Sequence, residues 1–92
     1  MKTFKIEQDG HTWIFPASAV ADNRAKYYAE NDPDTTYAEE FEFTMSDNFE
    51  LRDWFLNNMN FSDVASGATY IPAVAISEPD VFDEETEITI QE

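Results

Sequence analysis

Lys2-Thr3-Phe4-Lys5-Ile6-Glu7-Gln8-Asp9-Gly10-His11-Thr12-Trp13-Ile14-Phe15 is the stretch that decides the fold of this chain. From residue 2 to residue 8 the side chains alternate, with Phe4 and Ile6 on one side and Lys5 and Glu7 on the other. That period of two marks a half-buried strand. Asp9-Gly10 follows at once, between two apolar runs. A type I′ turn needs positive φ at both central residues, so the pair predicts a two-residue hairpin in which His11 to Phe15 returns antiparallel. Pro16 ends the second strand.

Beyond the hairpin, Ser18 offers an N-cap to a helix of about three turns over 19–30, with Ala17, Val20, Ala21, Ala25 and Tyr28 on one face. Asn31-Asp32-Pro33-Asp34 breaks it, because the residue before proline avoids the α region and Asx residues favour turns. In Thr35 to Met45, Tyr37, Phe41, Phe43 and Met45 share one parity while Glu40, Glu42 and Thr44 take the other, which predicts a strand. The competing helical reading rests on Tyr37 and Phe41 at i and i+4. Asp47 and Glu50 then form a capping pattern ahead of the stripe Leu51, Trp54, Phe55, Asn58 and Met59, so a second helix is expected over 48–59.

Asn60 to Gly67 reads as a connection that tucks Phe61 and Val64 onto the core. Ala68 to Ile76 is interrupted by Pro72, which demotes it to an edge strand or an ordered loop. Glu85 to Gln91 alternates once more, Ile88 and Ile90 inward, and closes the sheet. The expected architecture is α+β: an antiparallel sheet of about four strands with two helices packed on one face, in a single domain spanning 1–92. The opposite sheet face is expected to be partly wet and acidic.

Twenty Asp and Glu against five Lys and Arg give a net charge of −15. Disordered polyanions are poor in aromatics, whereas this chain carries eight Phe, four Tyr and two Trp, so a folded core under a charged skin is expected. The charge opposes anionic lipid and nucleic acid alike, which bind through Lys and Arg, so direct nucleic-acid binding and membrane binding are not expected. Without cysteine there is no thiolate nucleophile or disulfide, and no apolar run is long enough to span a bilayer. A cytoplasmic protein fits both.

The acidity is concentrated. Between Lys26 and Arg52 stand eight carboxylates, Glu30, Asp32, Asp34, Glu39, Glu40, Glu42, Asp47 and Glu50, and no base. After Arg52 no base follows, and 78–92 adds Glu78, Asp80, Asp83, Glu84, Glu85, Glu87 and Glu92. Mutual repulsion among them weakens the folded state, which points to use of the field. On strands, Glu40 with Glu42 and Glu85 with Glu87 would lie roughly 6.6–6.8 Å apart, a carboxylate row imitating a phosphate backbone. The expected partner-binding residues are Asp32, Asp34, Glu39, Glu40, Glu42, Asp47, Glu50, Glu84, Glu85 and Glu87, facing a basic nucleic-acid-binding protein.

In size, in charge, in the acidic runs 30–50 and 78–92 and in its opening Met1 to Ile6, the chain resembles small acidic phage-encoded inhibitors, anti-CRISPR proteins above all. The resemblance implies a stoichiometric inhibitor that sits on Lys- and Arg-rich subunits of a CRISPR effector complex and blocks target-DNA binding by acidic mimicry. The alternative is an acidic phage accessory or structural protein working through an aromatic patch, with Tyr27 or Tyr28 exposed beside Arg24 and Lys26.

Catalysis is not expected. His11, the only histidine, lacks a nucleophile motif and reads as a surface or packing residue beside Trp13. Asp32-x-Asp34-x-Thr36 opens like a calcium loop, but Tyr37 stands where glycine is required and Phe43 where a bidentate Glu is required. No cofactor or metal is expected. Trp54, Phe55 and Leu51 at helical spacing, and Phe41 with Phe43, read as core.

Overall fold

β1 (Thr3–Gln8) and β2 (His11–Pro16) pair antiparallel, with Phe4 opposite Phe15, Ile6 opposite Trp13 and Gln8 opposite His11. The computed structural model describes residues 1–8, 10–71 and 87–92. Gly10, in the two-residue link, has φ 81°, the left-handed region that glycine enters without a Cβ penalty. Asp9 lies outside the described residues. The hairpin is therefore formed in the expected register.

Two further strands complete an antiparallel sheet of order β3-β2-β1-β4. β3 (Thr69–Ile71) lies at one edge, with Tyr70 opposite Trp13, so the segment containing Pro72 does supply an edge strand. Residues 72–76 of that expectation are outside the described residues. β4 (Glu87–Gln91) forms the other edge, with Ile88 opposite Ile6 and Ile90 opposite Phe4.

α1 (Ala17–Asn31) leaves β2 directly at Pro16. Ser18 is not its N-cap, because the Ala17 amide donates to the Lys2 carbonyl at 3.0 Å. The end of the hairpin thus supplies the acceptor that a capping serine would have supplied. Val20, Ala21 and Ala25 are fully buried, and two alanines among them let the helix lie close to its neighbours.

The expected strand over 35–45 is a helix, α2 (Tyr37–Met45), and this correction raises the helix count from two to three. Three local signals decide it. The Thr36 hydroxyl caps the Glu39 amide at 3.3 Å, Glu39 and Glu40 sit in the first turn where the helix dipole favours anions, and Tyr37 stacks on Phe41 at i and i+4. Parity pairs Phe41 with Phe43, but a helix turns them about 200° apart. Phe41 accordingly packs on the core while Phe43 is 48% exposed. Phe43 is not the core residue that alternation predicts.

α3 (Asn48–Asn58) starts at Asp47, whose Oδ1 accepts from the Phe49 and Glu50 amides at 3.0 and 3.2 Å. Leu51, Trp54, Phe55 and Met59 are buried, as the stripe predicts, while Asn58 is exposed. Two short 3-10 turns, Phe61–Asp63 and Ala65–Gly67, follow, with Phe61 and Val64 tucked beneath them.

The core lies between the sheet and α1 and α3, while α2 packs mainly on α1 and lends the partly buried Phe41 and Met45 to the margin. Phe4 stacks on Phe15 at 5.1 Å between ring centroids, and Phe55 of α3 closes the trio at 5.5 and 5.4 Å. Burying each such side chain contributes roughly 1.5–3 kcal/mol. The open sheet face carries Lys5, Glu7 and Glu87 among Thr3, Thr12, Ile14, Pro16, Thr69, Thr89 and Gln91. It is wet, as expected, but two carboxylates and one ammonium make it mixed, and the acidity lies elsewhere.

Candidate protein-binding surface

Arg24, on the inner side of α1, is only 8% exposed. Its Nη1 donates to Glu40 Oε2 at 2.7 Å and to Thr44 Oγ1 at 2.9 Å, and its Nη2 stands 3.7 Å from Glu50 Oε2. The guanidinium lies over the rings of Tyr28 and Phe43, 4.7 and 5.2 Å from their centroids. One cation from α1 thereby ties α2 and α3 together, and Glu40 and Glu50 turn inward to it. Glu50 does not reach back to its own cap. The Asp47–Glu50 capping pattern is half realised.

Other carboxylates are engaged in holding the backbone. Asp32 accepts from the Asp34 amide and the Thr35 hydroxyl, each at 2.9 Å, and so shapes the α1–α2 connection. Asp47 caps α3. Asp22 accepts from the Tyr37 hydroxyl at 2.6 Å and pairs with Lys26 at 3.1 Å. The Tyr37 bond holds the Asp22 carboxyl below its ordinary value, with Lys26 helping, and raises the Tyr37 phenol.

Of the residues expected to bind a partner, Asp34, Glu39, Glu42 and Glu87 have carboxylates with no ion pair or hydrogen bond among the described residues. α2 sets two of them, Glu39 and Glu42, side by side. Asp34 projects from the α1–α2 connection, and Glu39 and Glu42 stand at i and i+3 on the outer side of α2. Glu87 is apart, opposite Glu7 on the open sheet face. Glu84 and Glu85 lie outside the described residues. Glu40 and Glu42 do not form a strand-spaced row, since a helix sends them to opposite sides.

What the row loses, the ridge of α2 gains in apolar character. Glu39, Glu42, Phe41, Phe43, Met45 and Ser46 line one shallow, open depression. Tyr37 is also exposed at the start of the helix. Phe49, near the start of α3, is 72% exposed. Sequence reasoning passed over it, although its place about 200° from Leu51 on a helical wheel would have set it off the buried stripe.

Two smaller features complete the surface. Tyr27 is 51% exposed and packs against Tyr28 and Trp54, whose indole Nε1 donates to Asn23 Oδ1 at 2.9 Å. Asn23, Lys26, Glu30 and Asn58 surround it in a second open depression. His11 is 2% exposed, its ring 5.8 and 5.9 Å from those of Trp13 and Tyr70, which stack on each other at 5.1 Å, with Nδ1 2.8 Å from the Tyr70 hydroxyl oxygen. Of the two positions read from the sequence, surface or packing, it holds the second.

Among the described residues no helix is long and apolar enough to cross a membrane, and no group of three His, Asp or Glu is placed to hold a metal ion. No family model, no curated protein and no solved structure matches this chain.

Proposed function

We propose that this chain is a stoichiometric binding protein that attaches to a Lys- and Arg-rich protein surface through the outer side of α2. The observation that carries the reading is the coincidence, on one ridge, of the uncommitted carboxylates of Glu39 and Glu42 with the half-exposed ring of Phe43. Carboxylates steer a basic partner and fix orientation, whereas a partly exposed aromatic supplies the desolvated contact that holds it. A uniformly charged ridge would do only the first.

Basic surfaces of that kind belong above all to nucleic-acid-handling complexes, whose grooves take phosphates with Lys and Arg. Inhibition of a CRISPR effector complex in the cytoplasm of a bacterial host, by occupying the groove meant for target DNA, is the narrower form of the proposal. It draws on the resemblance in size and charge. The mimicry it requires is of a compact acidic patch, since the evenly spaced strand row is absent from 35–45.

The test is capture of partners from a bacterial lysate at low salt, elution with rising salt and identification of what leaves. The expected eluate is a basic nucleic-acid-binding subunit whose affinity drops steeply between about 50 and 300 mM salt, the range over which exposed charges are screened. Glu39→Gln with Glu42→Gln should lower the association rate, and Phe43→Ala should raise the dissociation rate. Salt-independent binding lost on Tyr27→Ala would move the interface to the α1 depression and overturn the α2 assignment.

A further inference from the structure

We propose that β4 is a self-association edge, along which two copies of this chain join antiparallel about a two-fold axis at Thr89. The inference is independent of the α2 surface. β1 occupies one side of β4 over all five of its residues, and among the described residues no strand pairs with the other. The backbone groups on that side point outward, a template for another strand.

Proteins blunt such edges with brevity, proline, lysine or a bulge. Among the described residues the opposite edge of this sheet is short, with three residues in β3. β4 has five, Glu87-Ile88-Thr89-Ile90-Gln91, in unbroken register with β1 and without proline, lysine or glycine. That edge carries a central Ile88-Thr89-Ile90 that reads the same in both directions, flanked by Glu87 and its near-isostere Gln91. Turned about Thr89, the strand places Glu87 opposite Gln91 of the second copy, Ile88 opposite its Ile90 and Thr89 opposite its Thr89. A carboxylate meets an amide, β-branched residues meet each other, and no like charges are opposed. A shift of the axis to Glu87 would set two carboxylates face to face.

The flank of the strand supports the same partner. Asn48, Phe49 and Arg52 of α3 line a shallow groove with Ile88, Thr89 and Ile90. A two-fold axis at Thr89, perpendicular to the sheet, keeps both copies of α3 on the same side and brings the two exposed Phe49 rings toward each other. Arg52 is the one Lys or Arg without an ion pair among the described residues. An incoming acidic copy supplies what it lacks, and the two-fold closes, which makes a dimer and not a fibre.

Two bodies of −15 repel, so this association strengthens as salt rises, opposite to attachment to a basic partner. Sedimentation velocity reads it, with the full chain at about 10 μM to 1 mM in about 50 and 500 mM salt, a range wide enough for a small interface. The expected result is a monomer–dimer equilibrium whose dimer fraction grows with salt. Thr89→Glu should abolish the dimer with the fold intact by circular dichroism, because the new carboxylate stands opposite Lys5 within each copy but opposite itself at the axis. Phe49→Ser, at an exposed position, should weaken the dimer at least tenfold. A wild-type chain that stays monomeric in all these conditions, a dimer unchanged by Thr89→Glu, or open-ended assembly would each overturn the proposal.

Discussion

Arg24 and Glu40 meet at 2.7 Å across the α1–α2 contact, so a residue in the base-free acidic stretch between Lys26 and Arg52 is neutralised from sixteen positions earlier. Removing the cation leaves Glu40 and Glu50 facing each other's charge and strips the guanidinium that lies over Tyr28 and Phe43. Arg24→Ala should lower stability by about 3 kcal/mol, the lower part of the range for a broken buried pair, because both carboxylates keep some solvent. Glu40→Gln should cost only about 1 kcal/mol, since Glu50 and Thr44 remain. Urea unfolding measures both, and equal losses would mean that Arg24 acts only as packing.

Lys2 Nζ donates to the Met45 carbonyl at 2.5 Å and to Asn48 Oδ1 at 2.8 Å, and stands 3.6 Å from Glu92. It places a positive charge at the C-terminus of α2, where the dipole favours one. Lys2→Met keeps the stem and deletes the donors. A loss of about 2 kcal/mol is expected, with hydrogen exchange accelerated first in the last turn of α2. Uniform acceleration over the whole chain would count against a local role.

On the open sheet face, Glu7 and Glu87 are directly opposed on β1 and β4, and Lys5, 3.5 Å from Glu7, relieves only one of them. Like charges in that position destabilise a sheet. Glu87→Lys should therefore raise stability by about 0.5 kcal/mol at low salt, and the gain should shrink as salt screens it. A thermal midpoint that falls instead would show that the pair is separated in solution.

The Tyr37–Asp22 hydrogen bond makes stability depend on pH at both ends. Asp22 binds its proton more weakly when folded, so its contribution is present above the ordinary carboxyl value of 3.8 and is lost as pH falls through the lowered one. Tyr37 binds its proton more tightly when folded, so its contribution is present below the ordinary value of 10.0 and is lost as pH rises through the raised one. Tyr37→Phe should flatten the alkaline loss and reduce the acid one. Unfolding followed by Trp fluorescence across pH gives the profile, and superimposable profiles would sink the linkage.

The sheet was legible because its signals are local: Asp9-Gly10, the alternation of Phe4 and Ile6, and that of Ile88 and Ile90 each specify a strand within a few residues. α3 announced itself through Asp47 and the Leu51, Trp54, Phe55 stripe. Over 37–45 the same apolar residues satisfy both periods, and alternation hid the capping hydroxyl of Thr36, which stands one residue outside the pattern. The candidate surface inherited that difficulty. Which carboxylates remain free depends on where Arg24 and Lys2 reach, and those contacts span 16 to 90 residues. No local pattern encodes them.

The sheet order also sets a sequence of events. Phe4 finds Phe15 eleven residues away but must wait for Ile90, eighty-six residues away, to cover its other flank. Closing the shorter loop is the quicker step, so the hairpin and the helices gather first and β4 docks onto β1 late. A contact made after the barrier slows escape from the native state without hastening arrival, so weakening β4 should quicken unfolding and leave the folding rate nearly unchanged. The lifetime of the folded chain is then governed by its last strand.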